Sequence, residues 1–410
     1  MKCRFCKAEL KNLVIDLGLS PLANSFLAKE KTLQKEQFHP LKVFVCEKCF
    51  LVQLVNDSVT PEEIFSDYVY FSSFSKLWMD HTKNLSNMLI KQFLLDENSQ
   101  VIEIASNDGY MLKNFVSNNI PVLGIEPAKN ICQIAEKEGI PTINKFFGKS
   151  TATELVENGK EADLLIAINV MPHVPDLHDF VSGLKILTRT NGVIVIQFST
   201  YLLPFLENNE FDSIYHEHFS YFSLIAIQKI LNAYELEIFD VCELSIHGGS
   251  LRIFVKHKQN NSFSKKDSVN KLEKKEIEFG VEKINMYNDF MNDISKLKKE
   301  IHDFFVNSKL EGKKIACYGA PAKGNTLLNF CGVGKDFIEY TVDKNPHKQN
   351  LFLPGTHIPI YSPEKIRLTR PDYVLILPWN LKDEIIEQMN FIRDWNGKFV
   401  VLIPEVEIIN

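Results

Sequence analysis

The sequence predicts an α/β protein with a small N-terminal module followed by two doubly wound α/β domains. Three observations predict it: two C-x-x-C pairs near the N-terminus, alternating strand and helix patterns after them, and a second such alternation beyond a charged stretch. With 410 residues, the chain is long enough for two large domains and a cap. The patterns place the module at 1–65, the first α/β domain at 66–258, a connecting helix at 259–308 and the second α/β domain at 309–410.

Four cysteines of the N-terminal module are spaced like metal ligands. Cys3 and Cys6 form one C-x-x-C pair, and Cys46 and Cys49 form the other. Each pair places two thiolates on one tight turn, and two such turns make a closed tetrahedral shell for Zn²⁺. Because four protein ligands leave no open position for water or substrate, we expect a structural zinc. Two disulfides or four idle thiols are the alternatives, and a cytosolic setting disfavours disulfides.

The first α/β domain is predicted from apolar periodicity. In residues 76–95 apolar side chains recur at intervals of three and four residues, as in an amphipathic helix. Near-continuous apolar runs then indicate parallel strands covered on both faces, with helical patterns after the first three. Two further segments flank a pair of glycines and read as a closing β pair at the sheet edge. The four parallel strands and the β pair are predicted at 101–105, 122–125, 164–168, 193–198, 235–244 and 250–257.

The connector and the second α/β domain follow. Residues 262–308 are highly charged with one apolar seam at three-and-four spacing, which predicts a long solvated helix. The seam consists of Phe290, Ile294, Leu297, Ile301 and Phe304. Strands of the second domain are predicted at 314–318, 337–342, 373–377 and 399–403.

Charge and composition limit the classes of partner. The net charge is −6 and 45% of residues are hydrophobic, so nothing indicates an electrostatic grip on nucleic acid or on anionic lipid. The N-terminal residues lack the apolar stretch of a signal peptide, and no apolar run approaches the length of a membrane span. We therefore expect a cytoplasmic protein that binds no nucleic acid and no membrane.

The turn after the first predicted strand carries a candidate cofactor site. Small and polar residues there let a ligand approach the backbone, and Glu126, which ends the next strand, can accept both hydroxyls of a ribose. An acid and an amide replace the glycines that a dinucleotide would need, which suits a ligand with an amino group and no phosphate, namely S-adenosylmethionine (SAM). An ordinary strand-turn-helix without ligand is the alternative. The predicted cofactor residues are Tyr68, Glu103, Ala105, Asn107, Asp108, Gly109, Glu126, Pro127, Phe146, Phe147 and Asn169.

The order of several motifs resembles a known family. The two C-x-x-C pairs are followed by YVYFSSFS, EIASNDGYML, NVMPHVPDL, YHEHFSYFS, HGGSLRIFV, YGAPAKGNTLLNF and PGTHIPI. This series is similar to the nucleotide-sugar C-methyltransferases, which attach a methyl branch from SAM to a ring carbon of a 4-keto-deoxyhexose. The resemblance implies a zinc-binding module, a class I Rossmann-like methyltransferase domain and a Rossmann-like domain that binds the nucleotide sugar. Ala105 departs from the glycine of many methyltransferases, which costs one methyl group of room.

The resemblance also implies catalytic residues. The final histidine of YHEH, His218, corresponds to the family's general base, and methylation of carbon does require removal of a proton next to the ketone. We expect Glu217 to orient or tune that imidazole and Tyr215 or another histidine to stabilise the enolate. Taken alone, His218 also fits a loop histidine held by hydrogen bonds. His173 matches a catalytic residue on the substrate side.

Two tyrosines and two phenylalanines complete the expected site around the methyl donor. Tyr70 is predicted to contact substrate or cofactor, with Tyr68 nearby, although both also fit apolar packing between module and domain. Phe146 and Phe147 are expected to sandwich adenine, or else to belong to the core.

The second α/β domain is expected to hold the nucleotide half of the substrate. The glycine-flanked YGAPAKGN turn can present backbone N–H groups and a lysine to a diphosphate. A domain that serves only as a lid is the alternative. The predicted substrate residues are His247, Arg252, Tyr318, Lys323, Asn325, Asp343 and Lys348.

Three functions remain open from the sequence. The first is C-methylation of a nucleotide-activated keto sugar by a monomer or weak dimer. The second is O- or N-methylation of a sugar or metabolite. The third is a zinc-containing binding protein without activity, or an RNA modifier, and the acidic balance counts against it.

Overall fold

In the part of the chain that the structure describes, the protein forms three β-sheets with helices packed against them. The computed structural model describes residues 1–55, 59–60, 63 and 76–410. In chain order the strands are β1 (Asn12–Ser20), β2 (His39–Val45), β3 (Val52–Val55), β4 (Val101–Ile104), β5 (Val122–Ile125), β6 (Thr142–Ile143), β7 (Ala162–Ile168), β8 (Thr188–Phe198), β9 (Ser220–Tyr221), β10 (Leu236–Leu244), β11 (Ser250–His257), β12 (Ile315–Tyr318), β13 (Thr341–Val342), β14 (Ile360–Tyr361), β15 (Tyr373–Ile376), β16 (Lys398–Val401) and β17 (Glu407–Ile409). The α-helices are α1 (Lys76–Phe93), α2 (Leu112–Val116), α3 (Lys129–Lys137), α4 (Lys149–Glu157), α5 (Leu177–Leu187), α6 (Leu202–Glu207), α7 (Leu224–Asn232), α8 (Asp267–Phe279), α9 (Ile284–Leu310), α10 (Ala322–Cys331), α11 (Glu364–Thr369) and α12 (Lys382–Gln388).

The N-terminal module is an antiparallel sheet in the order β1-β2-β3-β9. Its fourth strand comes from the segment between β8 and β10 of the first α/β sheet, where Tyr221 and Ser220 pair with Val52 and Gln53. The segment that carries YHEH is therefore joined to the cysteine-bearing module through backbone hydrogen bonds.

The first α/β sheet has seven strands in the order β10-β11-β8-β7-β4-β5-β6. Strands β4 to β8 run parallel, and β10 and β11 close one edge as an antiparallel pair. Strand β4 is buried along its whole length, as the near-continuous apolar pattern predicted. The doubly wound domain and its closing β pair are thus confirmed.

The predicted connecting helix is wrong in one respect, because it consists of two helices. Gly280 ends α8 in the left-handed conformation, with φ of +99° and its N–H bonded to Glu276 O. Such a glycine cap stops a helix and turns the chain. The apolar seam belongs to α9, where Phe305 is buried and Phe304 is only partly so, because the buried stripe advances by four residues from Ile301.

The second α/β sheet has six strands in the order β14-β13-β12-β15-β16-β17, parallel except for β17. The strand predicted at 337–342 is shorter than expected. Phe337 lies in a turn, with its N–H bonded to Gly334 O, so only Thr341–Val342 pair with their neighbours. The expected second α/β domain is otherwise confirmed.

The three parts share a buried core. One cluster joins Val14 and Val43 of the N-terminal module with Ile294 and Ile301 of α9 and Cys317 of the second sheet. Helix α9 is therefore packed between domains along its apolar seam. Among the described residues, the chain has no helix of the length and apolarity that a membrane crossing requires.

Candidate active site

A cleft of about 580 Å³ lies at the carboxyl ends of the first sheet's strands and is bounded on its far side by the second α/β domain. This is the edge at which doubly wound sheets bind ligands. Tyr68 and Tyr70 lie outside the described residues. The structure places these predicted residues around the cleft: Ala105, Asn107, Glu126, Pro127, Phe146, Phe147, Asn169, His173, Tyr215, Glu217, His218, His247, Lys323 and Lys348.

Glu126 is the best-defined group on the cofactor side. Its carboxylate accepts hydrogen bonds from Asn107 N at 2.9 Å and from Ala128 N at 2.8 Å, and it lines the cleft. Burial raises the pKa of Glu126 to about 7, although the two backbone N–H groups oppose the rise. The spare lone pairs of this carboxylate face a space where ribose hydroxyls of SAM could donate, so the residues fit the cofactor.

The turns beside Glu126 adopt backbone conformations that bring the chain close to the cleft. Ala105, Asn107 and Asn169 have φ of +51°, +50° and +54°. Asparagine tolerates this left-handed region better than most residues, whereas alanine is strained there. Asn169 also accepts a hydrogen bond from Ser199 N at 3.1 Å, which ties the ends of β7 and β8 together.

Three of the predicted cofactor residues lie behind the wall of the cleft. Glu103 is buried and one of its oxygens has no hydrogen-bond partner; burial, followed by the charges of Asp108 and Glu126, raises its pKa. Asp108 is buried as well. Gly109 has φ of +76°, and a Cβ there would come within 2.8 Å of Ile140 Cγ1, so this turn requires glycine.

His218 and His173 face each other in the cleft as neutral rings. His218 Nδ1 lies 2.7 Å from Ser213 O, and His173 Nδ1 lies 2.8 Å from Glu217 O. Since a carbonyl only accepts, each Nδ1 donates, and each Nε2 keeps its lone pair. Burial lowers the pKa of His173 to about 4 and moves that of His218 well below its usual value, with His173 contributing to the latter. The ring of Tyr215 lies 3.9 Å from that of His218, centre to centre.

Glu217 is held by a residue that the sequence did not single out. Its Oε1 accepts a hydrogen bond from Asn24 Nδ2 at 2.6 Å, and Asn24 also lines the cleft. Burial raises the pKa of Glu217 to about 7, while Asn24 and then Lys348 act against the rise. The two residues are 193 positions apart, so no local pattern could have indicated the pair.

The loop before His218 is fixed to the second α/β domain. Trp379 Nε1 donates to Asp212 Oδ2 at 2.8 Å, next to the Ser213 carbonyl that binds His218. Lys323 Nζ lies 3.4 Å from Glu210 Oε2 and 3.3 Å from His247 O. Burial raises the pKa values of both acids. These carboxylates were missed because nothing in the sequence separates them from surface acids.

Two lysines and one histidine of the predicted substrate set reach the cleft. Lys323 and Lys348 come from the second α/β domain, and Lys348 Nζ donates to Ala320 O at 2.9 Å. Burial lowers the pKa of Lys348. His247 has φ of +58°, its ring lies 4.9 Å from that of Trp78, and burial lowers its pKa to about 4.

The other four predicted substrate residues do not line the cleft. Arg252 donates twice to Gln197 Oε1, at 2.9 and 2.7 Å, which occupies much of its guanidinium. Tyr318 Oη lies 3.4 Å from Gln388, and Asn325 is buried within α10. Asp343 accepts hydrogen bonds from Ala320 N and Asn345 N, both at 2.8 Å.

The four cysteines of the N-terminal module come together as a metal site. Their sulfur atoms all lie within 4.8 Å of one another, with Cys3 to Cys49 at 3.5 Å and Cys6 to Cys46 at 3.4 Å. These distances exceed the roughly 2.05 Å of a disulfide, so all four are free thiols. Gln53 Nε2 lies 3.2 Å from Cys3 Sγ.

The two cysteine turns have the same backbone geometry. Lys7 N bonds to Cys3 O and Phe50 N bonds to Cys46 O, and Lys7 and Phe50 have φ of +60° and +61°. The hydrogen bond between Cys3 and Cys49 lowers the pKa of Cys3 and raises that of Cys49. Thiolates are the form of cysteine that binds metal. Paired turns and clustered thiols fit a tetrahedral Zn²⁺.

Comparisons with known proteins match all three parts of the chain. Family models described as a zinc binding domain, a methyltransferase domain and a C-methyltransferase C-terminal domain match residues 3–65, 78–241 and 245–404. The C-methyltransferase NovU of Streptomyces niveus is 32% identical over 409 residues, which is 100% of this chain and 97% of NovU.

Two solved structures resemble part of the chain. Magnesium protoporphyrin IX methyltransferase of Synechocystis PCC 6803 with bound SAM is 12% identical, covering 43% of this chain and 78% of its own, with a TM-score of 0.32. An S-adenosylmethionine-dependent methyltransferase of Clostridium acetobutylicum ATCC 824 is 15% identical, covering 43% and 91%, with a TM-score of 0.34.

Proposed function

Because this chain belongs to the family of SAM-dependent C-methyltransferases that includes a zinc-binding module, we propose that it methylates a ring carbon next to the ketone of a nucleotide-activated 4-keto-deoxy sugar. The observation that carries the proposal is the fixed tautomer of His218. Its Nδ1 is occupied by Ser213 O, so the lone pair on Nε2 is available in the same cleft that Glu126 lines. In this proposal His218 is the general base.

The chemistry divides between deprotonation and methyl capture. When bound, SAM supplies an electrophilic methyl group on a sulfonium. His218 Nε2 takes the proton from the carbon next to the ketone, and the C–H electron pair becomes the enolate double bond. The enolate carbon then forms the new C–C bond, and the pair of the broken S–CH₃ bond stays on sulfur.

The enolate oxygen needs a donor, and the geometry restricts the choice. His173 in its neutral form donates through Nδ1 to Glu217 O, so its Nε2 can only accept. In this proposal the donor is the hydroxyl of Tyr215, whose ring lies 3.9 Å from that of His218, centre to centre. Burial holds the pKa of His218 well below its usual value, so its imidazolium needs stabilisation. In this proposal the ionised carboxylate of Glu217, the preceding residue, has that role.

The nucleotide half of the substrate is assigned to the second α/β domain. Lys323 and Lys348 bring two ammonium groups to the far side of the cleft from Glu126. A diphosphate is the part of a nucleotide sugar that such a pair would bind. Activity with a 4-hydroxy sugar in place of a 4-keto sugar would instead support methylation of oxygen, because that reaction needs no enolate.

The test is His218→Ala, with His302→Ala as the matched control, because His302 is exposed on α9. We expect His218→Ala to lose at least about a hundredfold in methyl transfer and to stop deuterium exchange next to the ketone, while SAM affinity stays unchanged. His302→Ala should match the unmodified protein. Normal turnover by His218→Ala would refute the assignment of the base.

A further inference from the structure

The segment that follows β1 runs from the N-terminal module into the cleft. Strand β1 ends at Ser20, and four residues later Asn24 lines the cleft and donates to Glu217. At 2.6 Å, the distance from Asn24 Nδ2 to Glu217 Oε1 is short for a hydrogen bond between nitrogen and oxygen. Among the residues that the structure describes, Asn24 is the one residue of the N-terminal module that lines the cleft. Through Asn24 the module contacts the loop that carries Glu217 and His218 directly.

Contacts on its far side keep this segment in place. Leu27 and Phe352 exchange two backbone hydrogen bonds, at 3.0 and 2.9 Å, which form an isolated bridge to the second α/β domain. Further along, Glu36 accepts a hydrogen bond from Gly355 N at 2.9 Å and lies 2.9 Å from His357 Nε2. Asn24 thus lies between β1 and a second anchored point, which limits the positions that its side chain can reach.

Glu217 needs such a partner because it is buried. Its side chain is 6% exposed, and an ionised carboxylate at that depth is costly unless hydrogen-bond donors or cations surround it. Lys348, from the second α/β domain, lowers the pKa of Glu217 electrostatically. The backbone carbonyl of Glu217 accepts the hydrogen bond from His173. Its chain neighbours are His216 and His218, whose pKa values are both lowered by burial. Asn24 is the donor bonded to its side chain.

We propose that Asn24 is a positioning residue of the active site, which fixes the carboxylate of Glu217 next to the base His218. This inference rests on the proposed function. The N–H group of Asn24 favours the ionised carboxylate, because a protonated oxygen at that position would have a donor facing a donor. In the proposed mechanism the ionised form stabilises a proton on His218, the next residue in the chain. Through Asn24 the N-terminal module would then contribute to the catalytic site as well as hold its metal.

The experiment compares Asn24→Ala and the isosteric Asn24→Asp with the control Asn12→Ala. Asn12 lies in the same module and makes the same kind of contact, donating to Glu47 Oε1 at 2.7 Å, but on the exposed surface. We expect kcat of both Asn24 variants to fall roughly tenfold to a hundredfold, and the acidic limb of kcat/KM to move up by about one pH unit. Without its donor, Glu217 holds its proton to higher pH. Asn12→Ala should change neither quantity.

A purely structural role would give a different result. Loss of rate without movement of the acidic limb overturns the proposal, as does an Asn24 variant that matches Asn12→Ala. A double-mutant cycle tests the pair even where one variant is less stable. If Asn24 acts through the carboxylate of Glu217, Asn24→Ala should not change kcat further in protein that already carries Glu217→Gln.

The failure of this inference can be told apart from failure of the proposed function. If the unmodified protein does not methylate a 4-keto nucleotide sugar, the proposed function fails. The carbonyl stretch of protonated Glu217, identified by infrared difference against Glu217→Gln, then still reports the titration. It should appear at higher pH in Asn24→Ala than in the unmodified protein, and an unchanged titration overturns the role of Asn24.

Discussion

The first and second α/β sheets share one pattern of hydrogen bonds around an acid, but only the acid of the first sheet lines the cleft. Glu126 follows β5 and accepts from Asn107 N and from Ala128 N, two residues further on, at 2.9 and 2.8 Å. Asp343 follows β13 and accepts from Ala320 N and from Asn345 N, again two residues further on, both at 2.8 Å. In each sheet an acid at the end of one strand thus ties down the turn that follows the neighbouring strand.

The difference lies in what faces each acid. Glu126 lines the cleft, whereas Asp343 does not, and Lys348 Nζ lies 4.0 Å from it and donates to Ala320 O. A lysine of the second domain thus lies beside its acid, and the same lysine reaches the cleft. Equivalent backbone geometry therefore does not imply an equivalent position in the site: the acid of the first sheet lines the cleft, whereas in the second sheet the neighbouring Lys348 lines it.

The largest expected difference between the two acids appears when each is neutralised in turn. Glu126→Gln and Asp343→Asn are isosteric and keep one acceptor oxygen. We expect Glu126→Gln to weaken SAM binding roughly a hundredfold, or about 2.7 kcal/mol, because it removes a charged acceptor from the cofactor side. Asp343→Asn should leave SAM affinity within about twofold. Isothermal titration with SAM measures both, and equal losses would mean that the two acids do not differ in role.

The lysines of the second sheet give the next largest effect. We expect Lys323→Met to raise the KM for the nucleotide sugar about tenfold to thirtyfold and to leave SAM affinity unchanged, because Lys323 lines the cleft beyond the cofactor side. Lys335→Met is the control, since Lys335 is exposed on the same domain. Competition by a nucleoside diphosphate checks the result without turnover. A loss of SAM affinity in Lys323→Met would contradict the division between the sheets.

Both sheets could be predicted from sequence because buried parallel strands leave short continuous apolar runs, and in this chain such runs alternate with helical patterns. The paired cysteines were equally visible, since metal ligands must be spaced on tight turns. Gly280 shows what periodicity hides: the charged pattern continues through it, and only its left-handed backbone divides α8 from α9.

The site was only partly visible in the sequence. Side chains at strand ends, such as Glu126 and Asn169, follow from the topology of a parallel sheet. Asn24 and Asp212 reach the site through contacts between domains, and such contacts leave no trace in local spacing. Arg252 shows the converse: the sequence placed it among the predicted substrate residues, while in the fold its guanidinium donates twice to Gln197.

The smallest predicted effect is the pH dependence of SAM affinity, which tests whether Glu126 contacts the cofactor as a carboxylate. Burial places the pKa of Glu126 at about 7 in the free protein, and hydroxyl donors on a bound ribose would lower it. SAM should therefore bind more tightly as pH rises through about 7, by roughly tenfold between about pH 6 and about pH 8, because fewer molecules must release a proton on binding. In Glu126→Gln this part of the dependence should disappear, while titration of the ligand's own amino group remains in both proteins. A pH profile identical in the two proteins would show that Glu126 does not contact the cofactor as a carboxylate.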